Sequence, residues 1–139
     1  MDNRLFYLLN QAQHAAFRFA DTACKSATGL SVTQAAALMH IARHEGAPQK
    51  SLADAMGLNA PAVTGLVSRL RNGGWIHAQA CEHDKRATRL FLTEAGRELL
   101  PRIHDLVSEL NHELSGDFSE AELATVTRFF HHVIQRFKG

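Results

Sequence analysis

The sequence predicts a mainly α-helical fold with one small β-hairpin, and three observations support this prediction. The spacing Gln49-x-x-x-Ala53-x-x-x-Gly57-x-x-x-x-x-Val63 is typical of two short helices that cross over a tight turn. From residue 84 to residue 96, a basic hairpin tip is followed by a returning strand and a new helix. Apolar residues also recur at helical intervals near both ends of the chain. Together these features predict a winged helix-turn-helix with long N- and C-terminal dimerisation helices.

The first third of the chain predicts two helices. A long first helix is marked by a run of apolar residues: Leu5, Leu8, Leu9, Ala12, Ala16, Phe19, Ala20 and Ala23. Gly29 is expected to end it. Ser31-x-x-Gln34 is a capping box that opens a second helix, whose inner face carries Leu38, Ile41 and Ala42. Gly46-Ala47-Pro48 is expected to interrupt the chain before the helix-turn-helix.

Each position of the helix-turn-helix spacing has a physical reason. A small residue is needed where the two helices touch, and Ala53 provides it. Gly57 suits a turn that requires a positive φ. Asn59 is a good N-cap for the second helix, and Pro61 is tolerated because it lies in the first turn. The buried face of this helix is predicted from the i, i+3, i+4, i+7 pattern of Val63, Leu66, Val67 and Leu70.

The opposite face of that second helix is slim and mostly polar. It carries Ala60, Pro61, Thr64, Ser68 and Arg71. A helix with small outer side chains can enter a DNA major groove, which is only about 12 Å wide. The pattern therefore favours a helix-turn-helix that binds duplex DNA over an ordinary amphipathic helix pair.

A hairpin is predicted after Gly73-Gly74. Trp75-Ile76 is a β-prone pair, and a polar stretch follows it through Thr88. Leu90 and Leu92 then alternate with Arg89 and Phe91, which predicts a short strand with one buried face. Thr93 is expected to cap the next helix.

The C-terminal third predicts two more amphipathic helices. The first carries Leu99, Ile103, Leu106, Leu110 and Leu114 and is expected to stop at Gly116. Ser119-x-x-Glu122 is a second capping box, and the last helix carries Leu123, Val126, Phe130, Val133 and Phe137. The terminal helices are more apolar than a small winged core can cover, so we expect them to bury one another across a two-fold dimer. An intrachain bundle is the alternative. The expected organisation is one domain over 1–139, with a DNA-binding lobe at 31–96 and dimerisation regions at 1–30 and 97–139.

Composition limits the other classes of function. A chain of 139 residues with 45% apolar and 21% charged residues is typical of one soluble domain. No apolar run approaches the ~20 residues of a membrane span, and no signal pattern opens the chain, so a cytoplasmic location is expected. Residues 46–92 hold six Lys/Arg against three Asp/Glu, whereas residues 93–139 hold five against eight. No catalytic, phosphate-loop, cofactor or metal motif is present, which predicts that the protein is not an enzyme.

In the order of its motifs the chain resembles the MarR family of bacterial transcription regulators. The resemblance runs through Ser31-x-x-Gln34, Leu52-Ala53-x-x-Met56-Gly57-Leu58 and Val63-Thr64-x-Leu66-Val67-x-Arg69-Leu70. It continues through Gly74-Trp75-Ile76 and Asp84-x-Arg86 to Leu92-Thr93-x-x-Gly96. This resemblance implies a homodimer that binds pseudo-palindromic promoter DNA, usually represses, and is released by a small phenolic or anionic ligand.

The resemblance also implies roles for individual residues. Arg86 would enter the minor groove at the tip of the wing, and Asp84 would orient it. Thr64 and Ser68 would face the major groove, while Lys50 and Arg69 would contact phosphates. The complete set of expected DNA-contacting residues is Lys50, Ala60, Pro61, Thr64, Ser68, Arg69, Arg71, Lys85, Arg86 and Arg89. The chain departs from the family at Gly65, Ala78 and Gln79, where relatives are often basic, so fewer phosphate contacts are expected.

Three ways of sensing a signal stay open at this point. A small organic ligand would contact residues of the first two helices: His14, Phe17, Met39, His40 and Arg43. Redox sensing would use an accessible cysteine, with Cys24 as the candidate. The peroxide-sensing relatives carry theirs near the position of Tyr7, whereas Cys24 comes much later and Cys81 lies in the wing. Zinc sensing is suggested by nine histidines, including His40 and His44 at i, i+4. A different class, a winged-helix protein-interaction module that does not bind DNA, is the remaining alternative.

Overall fold

The computed structural model describes residues 3–80 and 88–138, and these contain six helices and one two-stranded sheet. The elements are α1 (Leu5–Thr28), α2 (Val32–Arg43), α3 (Gln49–Met56), α4 (Ala60–Asn72), β1 (Ile76–Ala80), β2 (Thr88–Leu92), α5 (Glu94–Ser115) and α6 (Glu120–Arg136). The mainly α fold with a small hairpin wing is therefore confirmed. The chain divides into two compact units, Met1–Leu106 and Val107–Gly139, and the predicted lobe at 31–96 lies within the first.

The helix boundaries follow the local signals in the sequence. α1 ends where Gly29 takes a left-handed φ of 78°. Ser31 forms the predicted capping box with Gln34 at the start of α2, and the two hydrogen bonds measure 2.9 and 3.1 Å. At the start of α5, the Thr93 hydroxyl accepts a hydrogen bond of 3.1 Å from the Gly96 N–H. These caps satisfy N–H groups that have no partner inside the helix.

The core of the first unit receives side chains from α1 to α4, from both strands and from the first half of α5. Its largest fully buried side chains are Leu38, Ile41, Leu52, Leu66, Leu70, Leu90 and Ile103, together with Cys24. All four residues of the α4 stripe that the sequence predicted are buried. Among the described residues, every buried apolar side chain belongs to this unit.

The wing, defined here as β1 and β2, is an antiparallel pair whose register runs from Ile76 opposite Leu92 to Ala80 opposite Thr88. For the first strand, the sequence indicated β structure only at Trp75 and Ile76. In the structure Trp75 precedes the strand, and β1 extends through the stretch that looked merely polar. The pairing with β2 explains the difference, because the partner strand supplies hydrogen bonds and the His77 ring stacks on Phe91 at 5.2 Å.

A third segment pairs with the outer edge of β2. The Gly46 N–H donates to the Leu90 carbonyl at 2.9 Å, and the Leu90 N–H donates to the Ala47 carbonyl at 3.1 Å. Pro48 forms an isolated antiparallel bridge with Arg89. Because Pro48 is also the N-cap of α3, this segment joins the wing directly to the helix-turn-helix.

The close contact between α5 and the root of the wing requires a glycine. A Cβ atom added to Gly96 would collide with the carbonyl oxygen of Trp75. The Thr93 N–H donates to that same carbonyl at 3.1 Å, and the Thr93 hydroxyl donates to the Gly74 carbonyl at 2.6 Å. The first turn of α5 is therefore held against the residues that precede β1.

The second unit contains the end of α5 and all of α6. Ser119 and Glu122 form the predicted capping box, with hydrogen bonds of 2.9 and 3.2 Å. α6 buries none of its residues. Across the part of the chain that the structure describes, no helix combines the length and apolar character needed to cross a membrane.

Candidate nucleic-acid interface

The helix-turn-helix consists of α3, a turn and α4. Ala53 is 8% exposed, so its small side chain fills the contact between the two helices. The turn begins at Gly57, whose φ of 64° is disfavoured for residues with a Cβ. The Leu58 N–H then donates to the Ala53 carbonyl at 3.0 Å, and the Asn59 side chain accepts from the Ala62 N–H at 2.9 Å. These contacts fix the direction in which α4 leaves the turn.

The outer face of α4 is exposed, as the sequence predicted. Its side chains at the solvent are Ala60, Pro61, Thr64, Ser68, Arg69 and Arg71. A Cβ atom at Gly65 would lie 3.5 Å from a guanidinium nitrogen of Arg69, so this arginine folds back along the helix beside the glycine. The resulting surface is narrow at its start and basic towards its end.

Gln49 adds a polar contact that the sequence did not assign to the site. Its side-chain amide nitrogen lies 3.4 Å from the Thr64 hydroxyl and links the start of α3 to the outer face of α4. The neighbouring Lys50 is exposed. Gln49 is the first residue of the helix-turn-helix spacing and precedes Lys50, a predicted phosphate contact. That position was the signal that could have identified Gln49 as part of the site.

A groove of about 510 Å³ lies between the start of α3, the start of α4 and the first residue of β2. Gln49, Lys50, Thr64 and Thr88 contribute to its lining. The groove also contains the carboxylate-bearing Asp54, so its lining is not uniformly basic. The structure thus brings three of its elements to one surface at which polar side chains converge.

The described part of the wing holds one residue of the predicted DNA-contacting set. Arg89 is exposed on β2, and its guanidinium donates to the Gly46 carbonyl at 2.9 Å. This contact gives Arg89 a structural role that its sequence position did not indicate. Asp84, Lys85 and Arg86, which were predicted to form the wing tip, lie outside the described residues, as does Cys81.

The carboxylate of Glu45, which no sequence motif singles out, lies at the end of β2. Glu45 Oε1 accepts from the Leu92 N–H at 3.0 Å and from Arg97 at 2.7 Å, and Oε2 accepts from the same guanidinium nitrogen at 2.9 Å. The Arg97 hydrogen bond is the main reason that the pKa of Glu45 is lowered, and the Leu92 N–H lowers it further, whereas desolvation opposes both. Because Glu45 and Arg97 are 52 positions apart, no local motif marks the pair.

The candidate effector residues occupy two helices. His14 and Phe17 are exposed on α1, Met39 and His40 are half-buried on α2, and Arg43 lies at the end of α2. His40 Nε2 lies 3.5 Å from the Ser51 hydroxyl on α3. The pKa of His40 is lowered, first by desolvation and then by the neighbouring His44 and Arg43.

Cys24 is poorly placed for redox sensing. Cys24 is fully buried, with its sulfur 3.6 Å from the Thr28 hydroxyl and 3.7 Å from the Ser31 carbonyl, so it lacks the access that a redox sensor needs. The His40 and His44 rings lie 4.7 Å apart. Within residues 3–80 and 88–138, however, no three His, Cys, Asp or Glu side chains come together as a metal site.

Comparisons with known proteins agree with this geometry. Residues 28–87 match the model of the MarR family. The fold is similar to the S. aureus MepR–DNA complex, with a TM-score of 0.87, 21% identity, and coverage of 94% of this chain and 96% of that one. It is similar to a cysteine-to-serine mutant of E. coli MarR in complex with operator DNA, with a TM-score of 0.81, 22% identity, and coverage of 96% of this chain and 99% of that one. It is also similar to a MarR transcriptional regulator from Methanosarcina mazei Go1, with a TM-score of 0.81, 23% identity, and coverage of 94% of this chain and 96% of that one.

Proposed function

Because residues 28–87 match the model of the MarR family, we propose that this chain is a MarR-type transcription regulator that binds a pseudo-palindromic duplex DNA site as a homodimer. Members of this family are transcription regulators and not enzymes. We further propose that the protein represses its target promoter and that a small organic ligand releases it from DNA. Two structures with the same fold, those of MepR and of the E. coli MarR mutant, are complexes with DNA.

The observation that carries the proposal is the exposed outer face of α4. Thr64 and Ser68 lie one helical turn apart on it, and both are at the solvent. Small hydroxyl side chains let the helix approach base edges closely and can donate or accept hydrogen bonds there. Lys50 and Arg69 lie nearby as exposed cations, suited to phosphate contacts that set the register without reading the sequence.

The exposed apolar side chains support the proposed homodimer. Near the start of α1, Leu5, Phe6, Tyr7 and Leu8 are between 41 and 75% exposed. In the second unit, the exposed large apolar side chains are Leu114, Phe118, Val126, Phe129, Phe130, Ile134 and Phe137. A monomer rarely leaves this many large apolar residues in water. A two-fold partner that covers them would also present two copies of α4 to the two halves of a palindrome.

The direct test is a binding titration with fluorescently labelled duplexes. DNA from upstream of the protein's own gene is compared with a shuffled duplex of the same length and composition, at several salt concentrations. We expect tighter binding to the upstream DNA, two chains per duplex, and affinity that falls as salt rises because phosphate contacts release counterions. Binding to neither duplex would contradict DNA recognition and favour the protein-interaction module.

Two variants test whether α4 reads the bases. Thr64→Ala and Ser68→Ala should each weaken binding to the specific duplex by about fivefold to 100-fold, the range of about 1–3 kcal/mol for a lost base contact. Binding to the shuffled duplex should change little. Ser26→Ala, which alters an exposed serine on α1, is the matched control. Equal losses on both duplexes would assign Thr64 and Ser68 to positioning and remove them from sequence recognition.

The effector is tested by linkage. Phenolic acids, zinc and peroxide are screened for their effect on the melting temperature, first with free protein and then with operator DNA present. An inducer stabilises the free protein and weakens its complex with DNA, because it binds the two states unequally. We expect this behaviour from an organic acid, and substitution of His40 or Arg43 should reduce it. The same behaviour from zinc or peroxide alone would replace the organic ligand in the proposal.

A further inference from the structure

Glu45 joins α2, β2 and α5, and β2 also contributes Thr88 to the groove of the proposed DNA-binding surface. It lies just after α2, and its carboxylate binds the backbone of β2 and the side chain of Arg97 in the first turn of α5. Its side chain is 28% exposed, whereas that of Arg97 is 56% exposed. The carboxylate of Glu45 is therefore less exposed to solvent than the arginine that binds it.

The position of Glu45 completes the hydrogen bonding of one strand edge. Along the outer edge of β2, the Leu90 carbonyl and N–H pair with the backbone of Gly46 and Ala47. The next N–H on this edge, that of Leu92, has Glu45 Oε1 as its acceptor. The chain of residues that pairs with this edge leads without interruption into α3. The Glu45 carboxylate thus binds the end of β2 to the segment that leads into α3.

We propose that Glu45 is a positioning residue for DNA binding, whose carboxylate sets the direction of the wing relative to α3 and α4. This inference rests on the proposed function, since it assigns a role within the same DNA-binding surface. The wing and α4 must reach the duplex at the same time. A wing held at the wrong angle would misplace Arg89, its proposed DNA-contacting residue, even when α4 stays folded and free to bind.

Two substitutions separate the parts of this contact. Glu45→Gln retains an acceptor oxygen for the Leu92 N–H but removes the charge that faces Arg97. Glu45→Ala removes both interactions. The expected order of operator affinity is therefore wild type, then Glu45→Gln, then Glu45→Ala. We expect the alanine variant to bind about tenfold more weakly, because hydrogen bonds to a charged acceptor are among the stronger ones.

Asp21 supplies a control with the same chemistry in another place. Its carboxylate accepts from the Val32 N–H at 3.0 Å and forms an ion pair with Lys25 at 2.9 Å, and its side chain is 25% exposed. It joins α1 to the start of α2. Asp21→Asn should therefore lower the melting temperature about as much as Glu45→Gln, and it should leave operator binding unchanged.

The readout that a purely structural role would not change is the dependence of affinity on salt. All variants are titrated with operator DNA at a temperature where circular dichroism shows each of them folded. Each lost phosphate contact makes the slope of log K against log salt shallower by about 0.9. We expect a change of about one to two units per dimer for Glu45→Ala and none for Asp21→Asn. Amide hydrogen exchange at Leu92 should also accelerate in the alanine variant.

Each result decides between the two proposals. If wild type and Asp21→Asn bind with the same affinity and slope while the Glu45 variants lose both, the positioning role is supported. If the Glu45 variants keep the wild-type slope, or if Asp21→Asn changes it equally, Glu45 contributes only to stability and the inference is wrong. If wild type binds no duplex, the proposed function itself fails, and the role assigned to Glu45 falls with it.

Discussion

α4 and α6 are two capped amphipathic helices with very different surroundings. Both begin with a side chain that accepts an N–H hydrogen bond from the first turn, Asn59 in α4 and Ser119 in α6. α4 buries four apolar residues, whereas α6 buries none. The periodic pattern in the sequence is therefore evidence for a face that needs a partner, but it does not say whether the partner lies in the same chain. The comparison supports the proposal that the partner of α6 is a second copy.

The largest effect should come from the buried face of α4. Leu70 is fully buried, so Leu70→Ala removes methyl groups from the core and leaves a cavity. We expect the free energy of unfolding to fall by about 2–5 kcal/mol. Urea denaturation at constant protein concentration measures it. A loss below about 1 kcal/mol would mean that the core relaxes around the smaller side chain.

A change on α6 should act through assembly. Phe130 is 46% exposed, so Phe130→Glu costs little within one chain but would place a charge inside the proposed dimer interface. We expect a shift from dimer to monomer in size-exclusion chromatography with light scattering, and operator affinity lower by about 100-fold. Gln135→Glu, which introduces the same single charge at another exposed position of α6, is the control for charge alone. An unchanged dimer would remove Phe130 from the interface.

The two N-caps allow a matched comparison of smaller size. Asn59→Ala and Ser119→Ala each remove one side-chain acceptor at the start of a helix, which costs about 1 kcal/mol. We expect similar losses of stability from both. Only Asn59→Ala should also weaken operator binding, because α4 carries the proposed contacts. Binding is measured at a protein concentration where both variants are fully dimeric. If Ser119→Ala then weakened operator binding as much as Asn59→Ala, the DNA contacts could not be assigned to α4 alone.

The smallest effect should be a dependence of stability on pH that belongs to the first unit. The folded state lowers the pKa of His40, chiefly by desolvation, so below the ordinary histidine value of about 6.5 the unfolded chain binds the proton first. Stability should therefore decline slightly as the pH falls below that value, and His40→Gln should reduce the decline. Thermal melts between about pH 7 and pH 5 measure it. An identical decline in the variant would assign it to other groups.

A second pH range belongs to Glu45, whose pKa is lowered mainly by its hydrogen bond with Arg97. The stability that it contributes is complete above the ordinary glutamate value of about 4.3 and is lost as the pH falls through the lowered folded value. Glu45→Gln should make the loss of stability at acid pH less steep. Thermal melts in acetate and formate buffers measure this loss. If the variant loses stability at acid pH as steeply as wild type, the loss does not come from Glu45.

The sequence was most informative where a rule is local. The stripe of α4, the capping boxes at Ser31 and Ser119, and the turn at Gly57 each depend on residues within a few positions, and the structure contains all of them. β1 was underestimated because its strand character comes from pairing with β2, not from its own polar residues.

The contacts of the site that involve distant residues could not be predicted in the same way. Glu45 and Arg97 meet only after α2, the wing and α5 have packed, and the bond between Arg89 and Gly46 spans 43 positions. Gln49 was visible as part of a spacing, yet its contact with Thr64 depends on the angle between α3 and α4. The proposed contacts of Lys50, Thr64, Ser68 and Arg69 with DNA stay predictions.

The glycine at the first turn of α5 has a consequence for protein engineering. Gly96 is the residue whose missing Cβ lets α5 begin against the carbonyl of Trp75, and Arg97 next to it grips Glu45. A chimera that transplants the proposed DNA-binding lobe onto the terminal helices of another protein must therefore have its junction after Arg97. A junction placed directly after Gly96 would remove Arg97 from the transplanted segment, which would keep α4 but lose the ion pair between Arg97 and Glu45.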